Sequence, residues 1–505
     1  PRSTSKHTNI RDTVNSRTDT IRSKSTGTAA VTADDGKDST ADPEIYPEKY
    51  DMNLKLDTAA KNLSGTVTVR IRNNTHGRLT MLCLRNYAAS VLAQNGGKAA
   101  DAVISTVTDT AGDRLQVNTS RDPSVVYVSL GEHGIASSGT GSFVITFSEK
   151  IPKLDDRFGY HQNSDGGLMF QLTYCFPVLA MYADGKWDEN PYFYAGETAC
   201  SPCTDYTAVL SVPKDFVVAS TGSAVRKGAA VRINADDVRD MAITACDYMR
   251  EDSATVSGKK INLFYLTRKN TNGLFRKYVL GAAEDALAMF TELIGDYAYD
   301  ELDVVEAYLP GGMEYPGLVL INTDAGRKNV SYSDLCELTA HEVGHEWFYA
   351  AVGNDQYSEA WLDEGFATYL EQSVYANSAS GTLAEAVKYD KSKGVTPVKT
   401  WDSSDKYGAY MKNCAAKLGD KYYVNLSYSG YSGDSDYTQH VYDGGGMFLY
   451  ELSQTMGTAA FDRALRSYYS GYRFKIADTE DFLSVIDKAD PTGKTKEVTD
   501  RFISR

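Results

Sequence analysis

From Tyr50 onward the chain alternates apolar and polar positions with a period of two. Met52, Leu54 and Leu56 are separated by polar residues, and Val67, Val69 and Ile71 alternate with Thr66, Thr68, Arg70 and Arg72. Successive side chains of a strand leave opposite faces, so this pattern predicts half-buried strands. Further runs at 125–130, 143–147, 206–212, 216–219 and 241–245 are separated by Gly, Asn, Asp and Pro. Such spacing predicts a large antiparallel sandwich or saddle, with no helical period competing inside it.

After about residue 255 the period changes. Phe275, Val279, Ala282, Ala283, Ala286, Leu287, Phe290, Leu293 and Ile294 follow steps of three and four, which predicts a long amphipathic helix. A strand over 302–309, a glycine turn at 311–317, a second strand over 318–321 and helices from about 331 complete a mixed unit. The predicted organisation is therefore a tether over 1–44, a β domain over 45–250 and a mixed α/β and helical domain over 251–505, an α+β multidomain fold.

Composition changes the picture in three ways. A hydrophobic share of 42% against 24% charged residues is that of a globular chain, and no apolar run is long enough to span a bilayer. A net charge of −15 gives a field that repels phosphate backbones, which argues against a nucleic-acid partner and favours cationic substrates. Residues 1–44 hold 15 Ser or Thr and begin at Pro1 rather than Met, so the expectation is a processed, Ser/Thr-rich tether ahead of a body in the cell envelope or outside the cell. The seven cysteines are odd in number and scattered. Cys200 and Cys203 alone are close in sequence, and they read as a loop feature or a small bridge rather than a redox or zinc site.

Histidine is scarce, with seven in 505 residues, yet HEVGH places His341 and His345 four apart. On a helix both imidazoles then leave one face and can share an ion. Ser331 and Asp334 offer a capping pair for that helix. In WLDEGFATYLE, Glu364 supplies a third ligand from a second helical pattern. Two nitrogens and one carboxylate leave one position of a tetrahedral Zn²⁺ open, the arrangement of a catalytic site, and Glu342 beside the ligands suits a general base.

HEVGHEWF and VGNDQYSEAWLDEGFATYLE, together with GGMEYPG upstream, resemble the zinc aminopeptidases of the aminopeptidase N and leukotriene hydrolase type, a gluzincin family. DYTAVLSVPKDFVVASTG resembles the last strands of that family's N-terminal saddle, and VYDGGGMFLYEL its catalytic-tyrosine segment. The resemblance implies a thermolysin-like catalytic domain with one zinc per chain. It implies that Glu314 pairs with the α-ammonium of a peptide with a free N-terminus, while Gly311 and Gly312 let the substrate backbone lie close in strand-like pairing and Met313 joins them in binding substrate. It also implies that Tyr442 donates to the oxyanion, and it makes Gln171 a candidate second contact to the amine. Tyr315 stands where the family usually has Asn, and Gly444 where it usually has Lys. Larger members continue into a helical domain, so this chain resembles a bacterial-like short form with a more open cleft. Two other classes fit the same sequence: a surface adhesin or peptide-binding protein with a vestigial metal site, and a zinc endopeptidase.

Overall fold

The computed structural model describes residues 43–504 apart from 194–195, 197–199, 268–271, 323–329, 379–380 and 396–421. All but the last two residues of the expected tether, and Cys414, lie outside the described residues.

The alternating pattern forms strands β1 (Ile45–Asp57) and β2 (Asn62–Asn73), paired antiparallel, with β3 (Gly139–Lys150) on the far side of β2. Val67, Val69 and Ile71 turn inward and are fully buried, as the period of two requires. A four-stranded antiparallel sheet is built from β4 (Phe158–Gln162), β5 (Leu168–Leu172), β7 (Val217–Ser220) and β8 (Ile243–Cys246). Two features differ from the pattern-based expectation. Strand β6 (Thr204–Ser211) lies parallel to β1, with the rings of Tyr50 and Tyr206 stacked 4.7 Å apart. No hairpin joins these distant segments, so nothing local forced an antiparallel pairing. Helix α1 (Tyr87–Gln94) also interrupts the β half, and its two turns are too short to establish a helical period.

The last sheet has the order β9–β10–β11–β13–β12, formed by Met249–Val256, Lys259–Leu266, Glu301–Ala307, Leu318–Asn322 and Gly312–Tyr315 respectively. Its three inner strands are parallel and both edges antiparallel. Helix α2 (Asn272–Leu293) makes the crossover from β10 to β11. Of the nine apolar positions that predicted it, all but Leu293 are buried. One group of buried side chains joins the halves: Met169, Ala219 and Cys246 of the four-stranded sheet pack with Phe264, Val305, Met313 and Tyr315 of the last one. Arg239 is a second tie. Its buried guanidinium donates to the carbonyls of Ser201, Ala350 and Ala351, at 2.9, 3.1 and 3.3 Å.

The segment GGMEYPG, expected as a turn, is mostly strand. β12 covers Gly312–Tyr315, and only Pro316 and Gly317 form the turn, with Gly317 at φ +68°. Met313 and Tyr315 alternate into the apolar contact between the halves, and that alternation makes a strand of a glycine-rich stretch. Among the described residues no helix is long and apolar enough to cross a membrane.

Candidate active site

Helix α3 (Tyr332–Gly344) carries the first histidine and ends at the second. Ser331 caps it, accepting the Asp334 N–H at 3.2 Å, and buried Asp390 of helix α5 (Gly381–Lys393) accepts from the N–H groups of Tyr332 and Ser333. Helix α4 (Trp361–Tyr369) supplies Glu364 and runs on into a π-helical turn over Leu370–Tyr375.

His341 Nε2, His345 Nε2 and Glu364 Oε2 form a triangle with edges of 3.2, 3.2 and 3.3 Å. A tetrahedral ion with ligand bonds of 2.0–2.1 Å needs edges of roughly 3.3–3.4 Å, so these donors fit zinc. The other ring nitrogens support the fit. His341 Nδ1 donates to Glu371 at 3.2 Å and His345 Nδ1 to the Phe348 carbonyl at 3.2 Å. Both Nε2 lone pairs therefore converge on one point with a carboxylate, an arrangement that a cation satisfies. In the metal-free chain, protons answer the same charge. Burial depresses the His341 imidazolium, but the bonds to Glu364 and Glu371 outweigh it and lift it to about 9. Burial likewise works to raise Glu364, yet the two histidines hold it well below the usual carboxylate range. Metal loading must displace such protons and so weakens in acid.

Glu342 sits beside the triangle, 4% exposed, and burial pushes it up to about 7. It lies against Gly312, where a Cβ would come 2.1 Å from its Oε1. Gly312 thus owes its missing side chain to Glu342. Gly311, at φ +86°, meets no such neighbour, and its glycine character serves the backbone bend. The strand period that buries Met313 and Tyr315 sends Glu314 the opposite way, into the cleft. Acceptor atoms of Glu314 and Glu342 and a ring nitrogen of His345 all lie within 4.8 Å of one another.

Tyr442 lies in a π-helical turn (Gln439–Gly444) that leads into helix α6 (Gly445–Met456), and its hydroxyl donates to Glu364 Oε1. The adjacent glycines explain its position. A Cβ on Gly445 would come 2.7 Å from the Gly365 Cα, so only glycine at both positions lets α6 cross α4 this closely. These groups share a cleft of about 760 Å³ that Gly311, Gly312, Met313 and Arg157 also line.

Gln171 is not among the residues lining that cleft. Its amide is engaged with backbone, donating to Asp156 O and Tyr308 O and accepting the Tyr308 N–H at 3.0 Å, and so fastens β5 to the chain after β11. Cys200 and Cys203 are free thiols. Two residues that the motif reading passed over belong to the site's frame. Glu371, which orients His341, ends the segment WLDEGFATYLE, and its seven-residue spacing from Glu364 was a usable helical signal. Glu346 follows His345 directly, and nothing in the local sequence marks its partner.

The peptidase family M1 domain matches residues 278–502. Leucine aminopeptidase 2 of Candida albicans is 25% identical over 225 residues, covering 42% of this chain and 34% of the relative. Aminopeptidase M1-B of Oryza sativa subsp. japonica is 22% identical over 473 residues, covering 88% of this chain and 48% of the relative. The chain therefore spans between a third and a half of the length of these relatives. An M1 zinc metallopeptidase from Deinococcus radiodurans superposes with a TM-score of 0.61 at 17% identity, covering 92% of this chain and 94% of the other. Yeast LTA4 hydrolase in complex with bestatin gives 0.62 at 17% identity, covering 90% and 66%. At these identities the structural likeness concerns the fold: an N-terminal β domain followed by a mixed α/β and helical catalytic domain.

Proposed function

We propose that this chain, whose residues 278–502 match the peptidase family M1 domain, is a zinc-dependent aminopeptidase removing single N-terminal residues from peptides. The observation that carries the reading is the closeness of Glu314 to the metal site, within 4.8 Å of the ligand His345 and of Glu342 beside it. An α-ammonium lies only two bonds, about 2.5 Å, from its own carbonyl carbon. A carboxylate this near the ligands therefore leaves room for one residue between amine and scissile bond, and an internal peptide segment has no ammonium to offer it.

Zinc would be held by His341, His345 and Glu364 and would supply Lewis acidity toward a carbonyl and toward water. The chain's own groups do the rest. Glu314 holds the ammonium and sets the register of the substrate along β12. Glu342 takes the proton of the attacking water and returns it to the departing amine. The Tyr442 hydroxyl, already at the edge of the triangle, turns its donor from Glu364 to the oxygen on which charge develops. Burial of the whole group strengthens each of these interactions. The acidic composition suits cationic peptides, and a place in or beyond the cell envelope suits the Ser/Thr-rich N-terminal segment.

The test compares aminoacyl chromogenic substrates and a peptide with its N-acetylated twin, with and without chelator. The reading requires chelator-sensitive release of single residues from the free-amine forms alone. Glu314→Ala should lose more than about tenfold on the free peptide, as expected for breaking one side of a desolvated charge pair, and change little on the acetylated one. Internal cleavage of the acetylated peptide would make the protein an endopeptidase, and binding without turnover would make it a peptide-binding protein.

A further inference from the structure

Glu346 is 1% exposed and does not line the cleft. Both its carboxylate oxygens accept the Gly317 N–H, at 3.2 and 3.0 Å, and Oε2 also lies 3.3 Å from the Tyr297 hydroxyl. Gly317 is in the turn between β12 and β13, and its carbonyl accepts the Asp303 N–H of β11 at 2.9 Å. The turn is thus held from two sides, its carbonyl by the sheet and its N–H by the residue after His345. At the other end of β12, Gly312 receives the Glu342 carboxylate. Two glutamates four residues apart thus meet the two ends of the strand that carries Glu314, Glu346 by hydrogen bonds to the Gly317 N–H and Glu342 by close approach to Gly312. The sheet does not do this alone, because β12 is an edge strand with β13 as its one neighbour in the ladder.

We propose that Glu346 is a positioning residue that sets the distance between the metal centre and the amine-binding strand. It rests on the aminopeptidase reading and adds to it the part that fixes the one-residue spacing. The acceptor on Glu346 is what matters, so Glu346→Gln, which keeps an oxygen for the Gly317 N–H, should rescue function. Glu346→Leu fills similar volume without an acceptor and frees the turn.

The experiment uses the zinc-loaded full chain. Wild type, Glu346→Gln and Glu346→Leu are compared by metal content, by KM and kcat on a free-amine peptide and its N-acetylated twin, and by exchange of the Gly317 amide hydrogen. The Leu variant should keep one zinc per chain and lose roughly ten- to a hundredfold in kcat/KM on the free peptide, the scale of a small misplacement. Most of that loss should appear in KM, with little change on the acetylated twin and faster Gly317 exchange. The Gln variant should stay within a few-fold of wild type in every readout. Tyr297→Phe, which removes one oxygen, should raise KM in the same direction by a smaller factor, and it carries the test if the Leu variant does not fold. The proposal is overturned if the Leu variant keeps the wild-type ratio between the two peptides, if both substrates suffer equally, if Gln is as impaired as Leu, or if Tyr297→Phe leaves KM unchanged. A wild type that cleaves no free-amine peptide overturns the aminopeptidase reading itself, and this inference with it, before any variant is compared.

Discussion

Glu342 is held in a place that ordinarily repels a carboxylate: nearly dry, with one oxygen against Gly312 and Oε2 making no hydrogen bond within the described chain. A buried acceptor left open costs stability, and such an exception calls for a role. Glu342→Gln tests that role cleanly, since the amide has the same size but cannot take a proton. The variant should bind zinc stoichiometrically and lose at least about a hundredfold in turnover, the lower end for removing a general base. Steady-state kinetics beside elemental analysis decide the matter, and activity within a few-fold of wild type would move the base elsewhere.

Helix α3 must present its histidines from a firm start, and the structure invests buried groups there. The first N–H groups of any helix lack internal partners. Here Asp390, fully buried, accepts from the backbone of Tyr332 and Ser333 and from the Ser333 hydroxyl at 2.8 Å. Replacing it with Ala strands several donors in the interior. Asp390→Ala should therefore cost about 2–4 kcal/mol, the sum of a lost cap and an unsatisfied buried group. Thermal unfolding with zinc at fixed concentration measures it. Zinc affinity should fall in parallel, because a frayed α3 spreads the positions of His341 and His345. An unchanged melting temperature would mean that Ser331 alone suffices as the cap.

The stability of the whole molecule should carry the mark of one buried acid in its β half. Glu149 on β3 is 0% exposed, neither carboxylate oxygen has a partner among the described residues, and burial raises it well above 4.5. Between pH 4.5 and that higher value the folded chain keeps a proton that the unfolded chain has lost. Stability is then fully present below about 4.5 and declines as pH rises, by at most about 1.4 kcal/mol per pH unit from this group. Glu149→Met should abolish that decline and make the protein about 1–3 kcal/mol more stable near pH 7.5, with little difference at pH 4. Denaturant melts of both proteins across this range test the prediction, and parallel curves would reject it.

What the sequence determined by itself is what depends on neighbours along the chain. The four-residue spacing of His341 and His345 fixes a shared helical face. The alternation around Val67, Val69 and Ile71 fixes a strand face, and the three- and four-residue steps through α2 fix a helix. The motif reading also chose Glu314, Glu342, Glu364 and Tyr442, and folding brings all four into one cleft with the histidines. Tertiary structure decided the contacts between segments that no local period encodes. Glu371 meets His341 across 30 residues, Gly317 meets Glu346 across 29, and Tyr308 engages Gln171 across 137. The same holds for β12, whose glycines suggested a turn, and for β6, whose direction beside β1 no hairpin dictated. In each case a buried polar group had to find a partner, or an apolar face a cover, and packing the finished chain settled which one.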